Sequence, residues 1–398
     1  MLLKVLLLWF FISGALIFIY SRRELVAVWR EPVLRRPVLV IESDDWGAGP
    51  PDQSGVLDEI LLLLAGFSDR DGRPPVMTLG IILATADGSE FRSSSNYQRK
   101  SISAASYRPL LDVINKGVEA GVFSVQLHGL EHFWPPALMT ASEGDKAVKA
   151  WLKEAPLAAT EDLPSALQSR WVDASVLPAR PLSRRDVKRA AQEEVDAFQS
   201  VFSVIPEVAV PPTFVWNRDV EQAWAAAGVG VIVTPGRRFE TRDEKGRPAD
   251  AGAPIYNGQP GEKGIIYLVR DVYFEPSLGH SAEQAVAALE SKVRLCRPAL
   301  FETHRFNFLG TEEEKNRALA ELERLLRLAV ENYPDLAFLS SGKLATILKN
   351  QDPEWLELRF RRRLHIWVTR LGEFPRLRKL AWLTGWIVPA GMLWRLTA

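Results

Sequence analysis

From Pro37 onward, short apolar runs alternate with stretches of helical period. The runs Val38–Ser43, Val76–Ala84, Val122–Leu127, Glu207–Val210, Gly230–Thr234, Ile265–Val272, Ala299–Thr303 and Leu336–Ser340 are short and apolar, the first opening on the β-branched and apolar run Val38–Ile41, which predicts buried parallel strands. Between them, Val56–Phe67, Tyr107–Ala120, Ser183–Phe202, Val220–Ala227, Ser281–Leu295 and Thr311–Val330 read as helices. Ser183 with Asp186 opens one of them as a capping signature, and Gly121 and Gly228 close two others. Strand–helix alternation with right-handed crossovers predicts an α/β fold, a parallel barrel or an open sheet. Phe133–Pro181 shows no clear period and carries Trp134, Trp151 and Trp171, so it is expected to be a long loop serving as a lid or substrate wall. Arg237–Lys263 reads as a polar, Gly-rich insertion.

The two ends of the chain have a different pattern. Val5–Tyr20 is almost wholly apolar, follows Lys4 and precedes Arg22 and Arg23. That stretch is close to the minimum of about 17 residues for a spanning helix. No small-residue cleavage site precedes Ser21, so residues 1–23 are expected to be an uncleaved single-pass membrane anchor. The arginines on its carboxyl side would put the main body, residues 37–350, in the cytoplasm, although the side is left open. Residues 353–398 interleave Arg359, Arg361, Arg362, Arg363, Arg370, Arg376, Arg378 and Lys379 with Trp367, Trp382, Trp386 and Trp394. A basic, Trp-rich tail of this kind is expected to lie in a membrane interface, the alternative being a helix packed over the barrel.

Composition narrows the function classes. With 49 Lys+Arg against 49 Asp+Glu the chain has no net field, which argues against a nucleic-acid partner. One cysteine, Cys296, excludes an intramolecular disulfide and a Cys-rich metal site. Protein partners and oligomeric state are not legible.

The candidate chemistry sits at predicted strand ends, where α/β proteins place their sites. The first strand runs into Asp44, Asp45, Trp46 and Gly47; an isolated Asp pair most often caps a helix or closes a turn. The third strand ends in H-G-L-E-H, placing His128 and His132 four residues apart, a spacing at which two imidazoles can reach one ion. A later strand delivers His304 in F-E-T-H-R-F-N-F. Three strand ends carrying these groups converge on one pole of a barrel. Strict alternation would send the Asp44 and Asp45 side chains to opposite sides, which disfavours a paired-carboxylate glycosidase.

The order D-D, then H-G-x-x-H, then a strand ending in His resembles the polysaccharide deacetylase (NodB-homology) family over roughly Pro37 to Ser340. That resemblance implies a distorted parallel (β/α) barrel and a metal-dependent hydrolase that removes N- or O-acetyl groups from carbohydrate, here a cell-envelope or lipid-linked glycan. It further implies a divalent transition metal, zinc first among them, on Asp45, His128 and His132, with Asp44 as general base and His304 as general acid. Where the family carries an Arg before a Pro pair, this chain has Val210 before Pro211 and Pro212. Arg305 is a candidate replacement for that base-orienting Arg, and Asp271 a candidate partner of His304. Trp46, Pro212, Trp216 and Asn307 are candidate substrate-contacting or orienting residues. The rival is a catalytically silent glycan-binding or scaffolding protein, a reading the missing Arg favours.

Overall fold

The computed structural model describes residues 2–397. Its centre is a parallel sheet of nine strands. These are β1 (Val38–Gly47), β2 (Met77–Ile82), β3 (Phe123–Leu127), β4 (Val208–Ala209), β5 (Val231–Thr234), β6 (Ile266–Val269), β7 (Val272–Tyr273), β8 (Ala299–His304) and β9 (Ala337–Phe338). The order across the sheet is β6-β5-β4-β3-β2-β1-β8-β7, with β9 beside the start of β1. Each expected strand is present. The one expected over Ile265–Val272 is two, because the chain leaves one edge of the sheet at Val269 and joins the opposite edge at Val272. Three residue steps span at most about 11 Å, so the two edges must lie that close. The sheet therefore curls into an incomplete barrel, with Arg270 and Asp271 across its unpaired seam.

Alternation along the strands sorts the interior from the outer layer. Leu39 and Ile41 of β1 pack outward, among the residues of helices Gln53–Ala65 and Glu312–Asn332, whereas Val38 and Val40 face inward with Val208, Val231, Val233, Leu268 and Leu300. Helix Ser341–Asn350 plugs that end of the interior with Leu344, Ile347 and Leu348. Fully burying aliphatic side chains of this size stabilises by roughly 1.5–3 kcal/mol each, so the lower interior alone fixes the strand register. Continuing the inward parity toward the strand ends leads from Val40 to Glu42 and Asp44, from Leu300 to Glu302 and His304, from Leu268 to Arg270, and from Ser124 to Gln126 and His128. Lateral pairing then sets Glu42 beside Glu302 and Asp44 beside His304.

The outer helices start where expected. The Ser183 hydroxyl accepts from the Asp186 N–H at 3.1 Å, and Ser281 with Gln284 and Thr311 with Glu314 form full capping boxes. Phe133–Pro181 is more ordered than a loop: it holds helices Pro135–Gly144 and Lys146–Glu154 around a small core of Phe133, Leu138, Val148, Trp151 and Leu152. The polar insertion carries a short hairpin pairing Thr241–Arg242 with Pro248–Ala249.

The N-terminal segment corrects the sequence-based expectation of a membrane anchor. Among the described residues no helix is long and apolar enough to cross a membrane. The helix Leu2–Arg30 is long, but its apolar run Val5–Tyr20 covers about 24 Å at 1.5 Å per residue, against a hydrocarbon core of about 30 Å, before Arg22, Arg23 and Glu24 continue the same helix. One face of it meets protein, while Leu7, Leu8, Phe11, Leu16, Ile19 and Tyr20 stay exposed. The Trp386 indole meets Phe10 edge-on at 5.9 Å and donates to Ser13 Oγ at 3.2 Å, and Trp367 Nε1 donates to the Leu25 carbonyl at 3.0 Å. The C-terminal residues form helices Phe360–Leu371, Pro375–Thr384 and Ile387–Thr397, so the two chain ends build one helical layer. Arg370 ties that layer to the barrel: fully buried, it donates to the carbonyls of Leu295, Glu31, Pro32 and Cys296 at 2.9–3.1 Å.

Candidate metal centre and acid–base pair

The strand ends enclose a cavity of about 190 Å³. Asp44, Asp45, His128, His132, Arg270, Glu302 and His304 line its depth, and Glu161, Gln168, Thr213, Phe214 and Phe306 stand around it. Parity accounts for Asp44, His128, His304 and Arg270, but not for Asp45, which alternation would turn away. The reason is a bulge. Between Ser43 and Trp46 the first strand advances three residues while β2 advances two, from Leu79 to Ile81. Asp45 absorbs the extra residue with a left-handed φ of 72°. Both carboxylates therefore face one cavity, contrary to the expectation that they diverge. A left-handed Asp is strained backbone of the kind found at functional sites.

Asp45 Oδ1 lies 3.2 Å from His128 Nε2 and 3.4 Å from His132 Nε2. His128 Nδ1 is 3.0 Å from the Val210 carbonyl, which can only accept, so Nδ1 carries a proton and Nε2 is turned toward Asp45; burial would discharge the ring, but Asp44 and Asp45 raise its pKa. Ligand bonds of 2.0–2.1 Å in a tetrahedral arrangement give ligand–ligand edges of about 3.4 Å, so these separations fit one small divalent cation. Asp45 Oδ1 and His132 Nδ1 are buried and have no hydrogen-bond partner. Burial opposes the charge on Asp45, yet His132 and His128 hold its carboxyl well below the usual range. Burial and the neighbouring His128 push His132 down to about 4, against the pull of Asp45, so it is neutral and able to ligate at ordinary pH. Residue types and spacing fit a divalent metal, which would take the place of the proton that Asp44 and Asp45 favour on His128.

Asp44 is the second carboxylate. Its Oδ2 accepts from Arg270 Nη2 at 2.6 Å, while the buried Oδ1 has no partner. Burial would raise this carboxyl, but Arg270 and then His128 outweigh it and hold Asp44 below the ordinary carboxylate range. Arg270 also donates to Glu42 at 2.8 Å and to Glu302 at 3.1 Å. One guanidinium serves three buried acids, and burial accordingly raises Glu42 and Glu302. Phe214 lies against the Arg270 guanidinium, its ring centroid 5.3 Å away.

His304 stands beside Asp44 on the neighbouring strand. Its Nδ1 meets Glu275 Oε1 at 2.7 Å, leaving Nε2 toward the cavity and 3.8 Å from Glu302 Oε1. Burial would discharge this imidazole, but Glu275 and Asp45 push it up to about 10, so it holds a proton at neutral pH. Asn307 donates to Glu275 and to the Thr303 hydroxyl, which fixes the Glu275 carboxylate in place.

Several sequence-based assignments are corrected. Arg305 does not reach Asp44: it is buried and pairs with Glu161 at 3.0–3.2 Å, and Arg270 fills the base-orienting position. Asp271 does not touch His304; it is half-exposed and bound to Lys292 at 2.6 Å. Trp46 is core, donating to Ser43 Oγ at 2.8 Å and stacked on Phe308. Trp216 is core as well, its indole on Glu221 at 2.9 Å, and Pro212 is buried behind Pro211, which does line the cavity. Of the two roles expected for Asn307, its placement suits orienting and not substrate contact: it donates to Glu275, the partner of His304, and does not line the cavity. Glu131, between the two candidate ligand histidines, is fully buried and receives Arg170 at 2.5 Å, Tyr97 at 3.0 Å and Arg99, so it braces the loop from inside.

No family model and no curated protein sequence matches the chain. Solved structures similar to it include a peptidoglycan deacetylase from Bacillus subtilis, at 10% identity and TM-score 0.36, covering 80% of this chain and 95% of that one. A CE4 family pseudoenzyme from Bacillus anthracis matches at 10% identity and TM-score 0.36, over 78% of this chain and 66% of its own. A 4-α-glucanotransferase from Thermococcus litoralis matches at 9% identity and TM-score 0.41, and there this chain, over 78% of its length, spans 40% of the other. The first two fall in the polysaccharide deacetylase family that the motifs resemble. Likenesses this shallow assign no activity, which has to be read from the cavity.

Proposed function

We propose that this chain is a metal-dependent hydrolase that removes an N- or O-acetyl group from a carbohydrate. The observation that carries the reading is one cavity holding three separate devices: the Asp45–His128–His132 cluster, Asp44 gripped by Arg270, and His304 gripped by Glu275. Asp45, His128 and His132 would hold the divalent metal, which when bound supplies polarisation of the acyl carbonyl and a lowered pKa for water. The residues then divide the proton work. Asp44, kept ionised by Arg270, takes a proton from the attacking water through its free Oδ1. As water oxygen bonds to the acyl carbon, negative charge collects on the former carbonyl oxygen beside the cationic His304. His304 Nε2–H then donates its proton to the departing nitrogen or oxygen as the C–N or C–O bond breaks. The products are acetate and the free amine or hydroxyl, and His304 regains its proton from Asp44 by way of solvent.

Loss of the family's third-motif Arg would favour a silent glycan binder, but Arg270 supplies the same cation from another strand. Phe214 and Phe306 offer aromatic faces at the cavity for a sugar ring, and a cavity of this size admits an acyl group and part of one sugar. Protein loaded with Zn²⁺, Co²⁺ or Ni²⁺ is to be assayed for acetate release from N-acetylated and O-acetylated oligosaccharides. Release that disappears on chelation and returns with metal is the expected result. Metal-loaded protein that binds these sugars without releasing acetate would replace the hydrolase by the silent binder.

A further inference from the structure

A second cavity lies away from the strand ends. It is a groove of about 1,040 Å³ between the second half of helix Leu2–Arg30 and the segment 253–260, at the upper end of the range of about 300–1,000 Å³ for small-molecule sites. Its helix wall has a regular composition. Phe18, Arg22, Val26 and Arg30 follow one another at i+4 spacing, a column about 18 Å long in which apolar and cationic side chains alternate, and Arg23 with Ala27 forms a second column beside it. The opposite wall, A-P-I-Y-N-G-Q-P, carries no charge and presents Pro254, Tyr256 and Pro260.

The charges here are unspent. Among the described residues, Arg22, Arg23 and Arg30 are solvent-exposed and make neither an ion pair nor a side-chain hydrogen bond with protein. Of the two acids in the groove, Glu31 is committed to Arg297 at 2.9 Å and to Arg370 at 3.3 Å. Glu24 is left, with one buried carboxylate oxygen lacking a partner, so three guanidiniums face a single free acid. A simple anion would satisfy the arginines and leave Phe18 and Val26 wet, and a neutral lipid would do the reverse. We infer that this groove binds a long-chain amphiphile with a phosphate headgroup, its chain along Phe18, Val26 and Pro254 and its phosphate on the arginine column. Arg is suited to the task because its fork gives paired hydrogen bonds to phosphate oxygens. A headgroup hydroxyl would satisfy Glu24. This inference is independent of the acetyl-release chemistry.

The probe is dodecyl phosphate, titrated below its critical micelle concentration into full-length protein by calorimetry. Dodecyl maltoside and inorganic phosphate serve as the neutral-head and no-chain controls. Saturable binding of dodecyl phosphate at one site per chain, at least tenfold tighter than either control, is the expected result. Arg22→Glu combined with Arg30→Glu should weaken it at least tenfold, and Ala27→Trp, which fills the groove without changing charge, should do the same; both variants are to be checked for unchanged circular dichroism. Equal binding of dodecyl maltoside would reduce the groove to a greasy surface, and equal binding of inorganic phosphate would reduce it to a charge cluster. Binding unaffected by either variant would place the ligand elsewhere, and no binding at all would end the proposal.

Discussion

Two carboxyl–partner pairs set the proton inventory of the cavity. Asp44→Asn removes the base but not the cluster of ligands, so bound metal should persist while kcat falls by roughly 10²–10⁴, the usual contribution of a positioned acid–base group. Full activity in that variant would mean another group takes the proton from water. For His304 the sign follows from its partner. Glu275 helps hold its pKa up at about 10, and the protonated form is the working one, so activity is lost as pH rises through that value. Glu275→Gln should bring the pKa down toward the ordinary 6.5, moving the alkaline limb of the kcat profile to lower pH. An unmoved limb would detach His304 from it. The proposed base and acid, Asp44 and His304, were legible because each stands at the end of a predicted strand. Arg270 shares the inward parity of Leu268, but with one strand expected over Ile265–Val272 it falls inside the strand and not at an end, where the chemistry was sought. Glu275 and Glu161 had no such signal: one follows a two-residue strand, the other sits in an insertion far away in sequence, and both are placed only by packing.

The decisive features among the elements are a bulge and a seam. Alternation along β1 correctly separates Leu39 and Ile41 from Val38 and Val40, then fails at Asp45, where one extra residue turns an outward position inward. Nothing in V-L-V-I-E-S-D-D-W-G announces that bulge. The seam between β6 and β7 brings Arg270 over Glu42, Asp44 and Glu302, all buried. Arg270→Gln would leave three acids in the interior with no cation, and breaking a buried pair by removing one partner costs about 3–5 kcal/mol. A loss of that size in denaturant unfolding is expected. A loss below about 1 kcal/mol would show that the acids are already protonated and that Asp44 is not held ionised by this residue.

For the whole molecule, the architecture read from the sequence holds over residues 37–350, where every expected strand pairs in parallel. The N-terminal helix does not follow its expected part. Hydropathy alone treats Val5–Tyr20 as a self-sufficient span, and it is blind to Trp367 and Trp386, distant in sequence, which cover part of that helix. It is equally blind to Arg370, counted as one of many basic residues but buried among four carbonyls. Arg370→Met should therefore destabilise the fold by at least 1.5–3 kcal/mol, the worth of one hydrogen bond to a charged group, while leaving metal affinity unchanged. An unaltered unfolding midpoint would mean the helical layer is attached by other contacts.

The central claim is that Asp45, His128 and His132 are assembled to hold a metal beside an ionised Asp44. Elemental analysis of purified protein, wild type beside His128→Ala with both confirmed folded by circular dichroism, tests it most directly. One transition metal per chain in the wild type, lost in the variant, is the predicted result. Metal retained in the variant, or no metal in either protein after reconstitution with Zn²⁺, Co²⁺ and Ni²⁺, would contradict it.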